Sequence, residues 1–296
     1  MKVLPGESVP KALGFELDGH FVRTVQVMGW PGLANGRLLA VMAENAFEVF
    51  NIRPSRQAIQ CDKQEHLIPV PWGRIQMWRE RTPACTEGEP DVFVLRFLGA
   101  RGRAEMGTTD PLNRLPHARG EIWIANPPGF GISTGPVSLR RYAASALRVF
   151  DEMAAIAGNR KVWVYGQSFG TAAALHVAAN RSIDWQVLRN VTPVQNLMQW
   201  HAPYPVKWAA RALARTMPDE LDVRRNAARS ENRCLFLTSR DDRLSPFQVQ
   251  SQVHKLYGGP AEVCLAAGMH DQHVLTADDD LRYRHHVERA YGGAEK

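Results

Sequence analysis

The run Lys161-Val162-Trp163-Val164-Tyr165-Gly166-Gln167-Ser168-Phe169-Gly170, continued by Thr171-Ala172-Ala173-Ala174-Leu175, reads as strand, tight turn and helix. Lys161 to Tyr165 is nearly continuous in apolar residues, as suits a strand covered on both faces, and the alanine-rich continuation favours helix. A Gly-x-Ser-x-Gly at that junction is the pattern of a nucleophile elbow. Glycines flank a turn too tight for larger side chains, and the Ser oxygen is left exposed above the sheet. The helix beginning behind it directs its positive end toward any oxyanion formed there. A glycine-rich turn that merely lets helix and strand approach would look the same over five residues, so the rest of the chain must decide.

If Ser168 is a nucleophile it needs a base, because a hydroxyl is almost wholly protonated at neutral pH. For this elbow the expected order is Ser, acid, His, the last two on loops at the carboxyl ends of later strands. After a strand ending at Thr238 comes Ser239-Arg240-Asp241-Asp242-Arg243-Leu244-Ser245-Pro246, and after a strand ending at Leu265 comes Ala266-Ala267-Gly268-Met269-His270-Asp271-Gln272-His273. Asp242, at the tip of its loop, is preferred as the acid over Asp241. His270, directly after the small-residue turn, is preferred as the base over His273. The backbone N–H of Phe169 supplies one oxyanion donor, and the loop Phe97-Leu98-Gly99-Ala100-Arg101-Gly102 supplies the second, from Ala100 with Leu98 as competitor.

Outward from these residues, strands are expected at Asp91–Leu98, Glu121–Ala125, Lys161–Tyr165, Gln186–Val191, Arg233–Thr238 and Ala261–Leu265. They alternate with segments of helical period, the sign of a largely parallel sheet flanked by helices. Leu139, Tyr142, Ala143, Ala146, Phe150 and Met153 form one apolar helical stripe. A further helix starts at a Ser245 cap with Pro246 at its first position and stops before Gly258-Gly259. A last one starts near Thr276, with Asp279 completing a capping box and Tyr283, Val287, Ala290 and Tyr291 on one face. His66–Val70 and Gly73–Trp78 read as an antiparallel hairpin at a sheet edge. Residues 1–65 form an N-terminal extension, with a possible strand over Phe21–Met28 and a helix over Arg37–Phe50. Residues 66–296 form the core, with a cap insertion over about 192–232 that is a loop through Pro193, Pro203 and Pro205 and then helical over Val206–Arg215.

The chain has 296 residues, 45% hydrophobic and 22% charged, which suits one large globular core and needs no disulfide or structural metal. Formal charge is +6, but the basic residues are dispersed and no nucleic-acid-binding signature occurs, so no nucleic-acid partner is expected. Cys61, Cys85, Cys234 and Cys264 show no metal or disulfide spacing. His270-x-x-His273 lacks a third ligand, so no metal is expected. Asn126-Pro127-Pro128-Gly129-Phe130-Gly131-Ile132-Ser133-Thr134-Gly135 contains a Gly-x-Gly, but Pro136 interrupts it and no ribose-binding acid follows a second strand. It reads as a cleft rim, and no cofactor is expected. The first twenty residues lack a signal-peptide apolar stretch, and no run reaches the roughly 18 to 20 apolar residues of a membrane span. The expectation is therefore a cytoplasmic protein without an integral membrane segment; its oligomeric state is not readable.

Together the GQSFG elbow, the NPPGFGISTG loop, SRDDRLSP and AAGMHDQHV resemble the α/β-hydrolase superfamily over roughly residues 66 to 291. The likeness is greatest to small serine esterases and thioesterases with a modest cap. The resemblance implies cleavage of a small acyl ester or thioester by Ser168, His270 and Asp242, with 192–232 as the cap. Leu98-Gly99 stands where members usually have His-Gly. A protein that keeps this fold for binding alone is the competing expectation. Arg211, Arg215, Arg224, Arg225, Arg229 and Arg233 read as a solvated face balanced by Asp219, Glu220, Asp222 and Glu231 in preference to a site that attracts an anionic substrate, and Trp200, Tyr204 and Trp208 read as cap packing in preference to the lining of an apolar acyl pocket.

Overall fold

The computed structural model describes residues 2–5, 21–22, 49–51, 63–85, 88–100, 102–204, 207–270 and 275–293. The chain divides into two compact units, Met1–Gln60 and Cys61–Lys296. In the first, β1 (Lys2–Pro5) pairs in parallel with β2 (Phe21–Val22) on one side and β3 (Val49–Asn51) on the other. The strand expected from Phe21 is present over its first two residues. The helix expected over Arg37–Phe50 is corrected at its end, where Val49 and Phe50 pair with Val3 and Leu4 as strand residues. The rest of both expectations lies outside the described residues.

The second unit is built on eight strands: β4 (Gln64–Val70), β5 (Gly73–Arg81), β6 (Val92–Phe97), β7 (Gly120–Ala125), β8 (Lys161–Gln167), β9 (Trp185–Arg189), β10 (Arg233–Ser239) and β11 (Ala261–Ala266). Their spatial order is β4-β5-β7-β6-β8-β9-β10-β11. The β4–β5 hairpin and the β5–β7 pair are antiparallel, and every other pair is parallel. Alternation along each central strand feeds two cores. Phe93 and Leu95 of β6 and Val162 and Val164 of β8 face α1 (Leu139–Ala157) and α2 (Gly170–Ala178). Val94, Trp163, Tyr165 and Val187 pack on the other face with Tyr283 and Val287 of the C-terminal helix. The apolar stripe of α1 is buried as its spacing requires, through Tyr142, Ala146, Val149, Phe150 and Met153.

Between β9 and β10 lie α3 (Val194–His201), α4 (Lys207–Ala214) and α5 (Val223–Arg229). A helix thus replaces the loop expected after Pro193. Pro193 stands at its N-cap and Pro203 beyond its end, so neither interrupts its hydrogen bonds. Leu221, Val223 and Ala227 are buried in the core of the α1–α2 face. The expected packing of Trp200, Tyr204 and Trp208 is also corrected: they are 51%, 89% and 73% exposed. Among the described side chains of α4, Ala214 is buried and Trp208 lies outside.

The helix α6 (Phe247–Leu256) follows Pro246, but Ser245 does not cap it; its hydroxyl donates to the Val191 carbonyl instead. The last helix, α7 (Ala277–Gly292), is capped by Thr276, whose hydroxyl accepts from the Asp279 N–H. The other half of the expected box is absent, because the Asp279 carboxylate accepts from the Ala267 N–H and from Arg282. Cys234 and Cys264 are buried small residues, and burial pushes both thiols up, away from the reactive thiolate.

On α6, His254 packs on Phe236 with ring centroids 4.3 Å apart, and burial pushes its imidazole down to about 4 from 6.5. The unfolded chain therefore binds this proton first, so stability is full above pH 6.5 and falls as pH drops toward 4. At about 1.4 kcal/mol per unit, reduced by partial exposure of the ring, the loss is roughly 2 kcal/mol. Replacing His254 by Leu is expected to remove this part of the acid sensitivity, read from urea midpoints at pH 7 and pH 4.5.

Candidate active site

The elbow occupies the place where strand order reverses. From β6 the chain goes to β7 on one side, and from β8 to β9, β10 and β11 on the other, which leaves a crevice at the carboxyl ends of β6 and β8. Ser168 sits there with φ +52°, a left-handed conformation that side chains other than Gly, Asn and Asp seldom adopt. Its N–H donates to Arg189 O at 2.9 Å, and its own carbonyl accepts the Thr171 N–H at 2.9 Å. The two flanking glycines are required by space. A methyl group on Gly166 would stand 2.8 Å from the Thr171 Cα, and one on Gly170 would stand 2.2 Å from the Phe97 carbonyl oxygen.

The Ser168 hydroxyl lies 2.7 Å from His270 Nε2. His270 Nδ1 lies 2.6 Å from Asp242 Oδ2. A carboxylate only accepts, so Nδ1 carries the proton, and Nε2 is left as the acceptor for the Ser168 O–H. The Asp242 carboxylate is inaccessible to solvent and fully engaged. Oδ1 accepts the N–H groups of Leu244 at 2.9 Å and Ser245 at 2.8 Å, and Oδ2 accepts Gln250 Nε2–H at 3.2 Å in addition to His270. Such donors offset the cost of removing a carboxylate from water. Asp241 is exposed, and its N–H donates to Gly268 O. His273 lies outside the described residues.

Phe169 N–H and Ala100 N–H donate to no protein group among the described residues. The Leu98–Gly99 stretch runs directly over the elbow: a methyl group on Gly99 would lie 3.2 Å from Ser168 Cβ and 3.7 Å from its Oγ. The Phe169 ring is fixed by stacking on Tyr142, with centroids 5.7 Å apart and planes 15° apart, while Tyr142 meets Phe97 edge-on at 6.5 Å. The Asn126–Gly135 loop is spent on tying itself to the hairpin. Ile132 N–H donates to Gln76 Oε1, and Ser133 Oγ accepts from Gln76 N–H and donates to Asn126 O. That arrangement engages the loop with its own protein neighbours. Among the described residues no group of three His, Cys, Asp or Glu could hold a metal.

Two residues near this site escape a sequence reading. Gln250 stands on the buried face of α6 beside Val249 and Val253, and a polar residue on an apolar stripe is its only signal. Asn190, just past β9, has φ +49°; an Asn at a strand end is the only hint.

Comparison with known proteins agrees with the architecture. A family profile described as alpha/beta hydrolase fold matches residues 110–208, a span that includes Ser168 and stops before Asp242 and His270. No curated protein matches the sequence. Among solved structures, the chain is similar to Est1E from Butyrivibrio proteoclasticus with ferulic acid bound, at 13% identity and TM-score 0.61, over 77% of this chain and 100% of that one. It is similar to the Pyrococcus furiosus esterase Pf2001 at 10% identity and TM-score 0.59, over 83% and 96%. It is also similar to the Pyrococcus horikoshii acylaminoacyl peptidase at 13% identity and TM-score 0.58, over 81% of this chain and 44% of that one. The second unit has the α/β-hydrolase fold, an eight-stranded and mostly parallel sheet between helices. Among the described residues no helix is long and apolar enough to cross a membrane.

Gly170→Ala is the sharpest test of this packing, because the contact that would be violated is backbone and cannot rotate away. The variant is expected to lose several degrees of Tm, measured by calorimetry, whereas Gly158→Ala, with open space around it, changes stability only through its positive φ.

Proposed function

We propose that this protein is a serine hydrolase that cleaves a carboxylic ester or thioester through an acyl-enzyme. The observation that carries this reading is the continuous hydrogen-bonded line from Ser168 Oγ through His270 to the buried Asp242, at 2.7 and 2.6 Å. In this reading His270 Nε2 takes the hydroxyl proton as Ser168 Oγ attacks the acyl carbon. Asp242 holds the imidazole in the Nδ1–H tautomer and stabilises the imidazolium. The negative oxygen of the tetrahedral intermediate is received by the N–H of Phe169, and by that of Ala100 as the second donor. His270 then returns the proton to the leaving alcohol or thiol, and water, deprotonated by the same imidazole, releases the acid. No cofactor or metal has a role in these steps.

The names of two of the similar structures, an esterase and an acylaminoacyl peptidase, support hydrolysis of an acyl bond, and the preference for ester or thioester is our own reading of the site. The cap is assigned to residues 192–217, since Leu221, Val223 and Ala227 belong to the core. Its exposed Trp200 and Trp208 offer apolar surface for an acyl group. Two of the arginines are already paired, Arg225 with Asp219 at 3.0 Å and Arg233 with Glu262 at 3.5 Å, which leaves them less free to attract an anionic substrate.

Incubation with a fluorophosphonate, followed by intact-protein mass, tests the reading without a known substrate. The parent is expected to gain one adduct and Ser168→Ala none; an unlabelled parent, or equal hydrolysis of short acyl esters by both, overturns the mechanism in favour of a binding protein. Asp242→Asn is expected to lower kcat by about 10³- to 10⁴-fold on a p-nitrophenyl ester, through loss of the correct tautomer.

A further inference from the structure

We infer that Asn190 is a positioning residue that holds His270 and the loop of Asp242 in mutual register; this rests on the reading of Ser168, His270 and Asp242 as a working triad. Asn190 follows the last residue of β9, between the strand that adjoins the elbow strand and the strand that leads to the acid. It is 1% exposed, and both ends of its amide are used. Nδ2 donates to the carbonyl oxygen of His270 itself at 3.0 Å. Oδ1 accepts the N–H of Ser239, three residues before Asp242, at 2.7 Å. One planar side chain thus spans the backbone of the base and the backbone of the acid's loop.

The stems of those two loops are also joined directly, through Arg240 N–H to Ala266 O and Asp241 N–H to Gly268 O. Those bonds stop short of His270, and Asn190 is the described side chain that reaches its backbone. The amide is aimed by its own main chain. Asn190 N–H donates to Leu237 O at 2.9 Å, and Thr192 Oγ1 donates to Asn190 O at 2.9 Å. At φ +49° the residue is in the left-handed region, which Asn tolerates and most side chains do not. That cost, retained at a fully buried position, is what an over-determined functional geometry looks like.

The residues on either side complete the arrangement. Arg189 O accepts the Ser168 N–H, and Val191 O accepts the Ser245 hydroxyl on the far side of Asp242. The segment 189–191 therefore touches the nucleophile's backbone, the acid's loop at both ends, and the base. Asn190 contacts no reacting atom, so its loss should slow the chemical step and leave substrate binding alone.

The experiment compares the parent with Asn190→Gly, which accepts the positive φ but removes both bonds, and with Asn190→Asp, which keeps the acceptor for Ser239 and turns an oxygen toward the His270 carbonyl. Ser230→Ala, which removes one buried hydroxyl bonded to Asn226 O, controls for loss of a hydrogen bond as such. Saturation kinetics of fluorophosphonate labelling are expected to give a maximal rate about ten- to a hundredfold lower in both Asn190 variants, with the half-saturating concentration within about twofold of the parent. The downfield proton resonance of the His270 Nδ1–H to Asp242 bond should broaden or vanish in both and persist in Ser230→Ala. Parental labelling rates with an unchanged resonance in folded variants overturn the inference while leaving the triad standing. If the Gly variant does not fold, the Asp variant decides; if neither folds, Asn190 is a folding determinant and the positioning role is overturned. A parent that takes no label at Ser168 refutes the triad reading itself, and the role assigned to Asn190 falls with it.

Discussion

The closest backbone approach around the candidate site is the one on which the rest depends. Gly170 brings the first turn of α2 against the carbonyls of Phe97 and Leu98, so tightly that a single methyl group would stand 2.2 Å from one of them and 2.6 Å from the other. This contact sets the start of a helix, the end of β6 and the left-handed Ser168 at one point. Because strand order reverses between β6 and β8, the connections on the two sides run apart there and leave the point open. The left-handed turn at Ser168 has no room to relax, because it is wedged between two main chains.

From that point the sheet grows one parallel strand at a time, β9, then β10, then β11, each fed by a helical crossover. Asp242 follows the end of β10, and His270 follows the end of β11. The order of the polar residues along the chain is therefore the order of the strands across the sheet. Asp242 can be buried because its loop turns back on itself, giving Oδ1 two main-chain donors before His270 and Gln250 reach Oδ2. In this respect the loop's local geometry and its chemistry are the same fact.

What could be read from sequence was whatever has a local signature. Strands covered on both faces show as unbroken apolar runs, and the expected bounds of six of them lie within a residue or two of the observed ones; the edge hairpin is legible too, although its second strand runs three residues further, to Arg81. The elbow is legible because its glycines and its flanking elements are adjacent in the chain. Helix α3 was hidden by the prolines around it, which lie at its margins and not inside it. Leu221, Val223 and Ala227 looked like part of an insertion because nothing in seven residues tells which body a short helix will join. Ser245 was expected to cap α6, but its hydroxyl meets Val191, 54 residues away in the chain. Asn190 escapes for the same reason, because its partners, Ser239 N–H and His270 O, lie 49 and 80 residues away in the chain. Gln250 has near partners, Asp242 and Ser245 O, but an amide on an apolar helix face gives no sign of them.

His270 hangs from β11, the outermost strand on its side, whose Val263 is 47% exposed and which among the described residues pairs with β10 alone. An edge strand with one neighbour is the part of a sheet that opens at least cost, well before the centre gives way. Ser168, on a central strand, is anchored in the most durable region, and His270 in one of the least. Heat or denaturant should therefore part His270 from Ser168 while most of the core is still folded, so that their hydrogen bond is a gauge of one edge and not of the molecule.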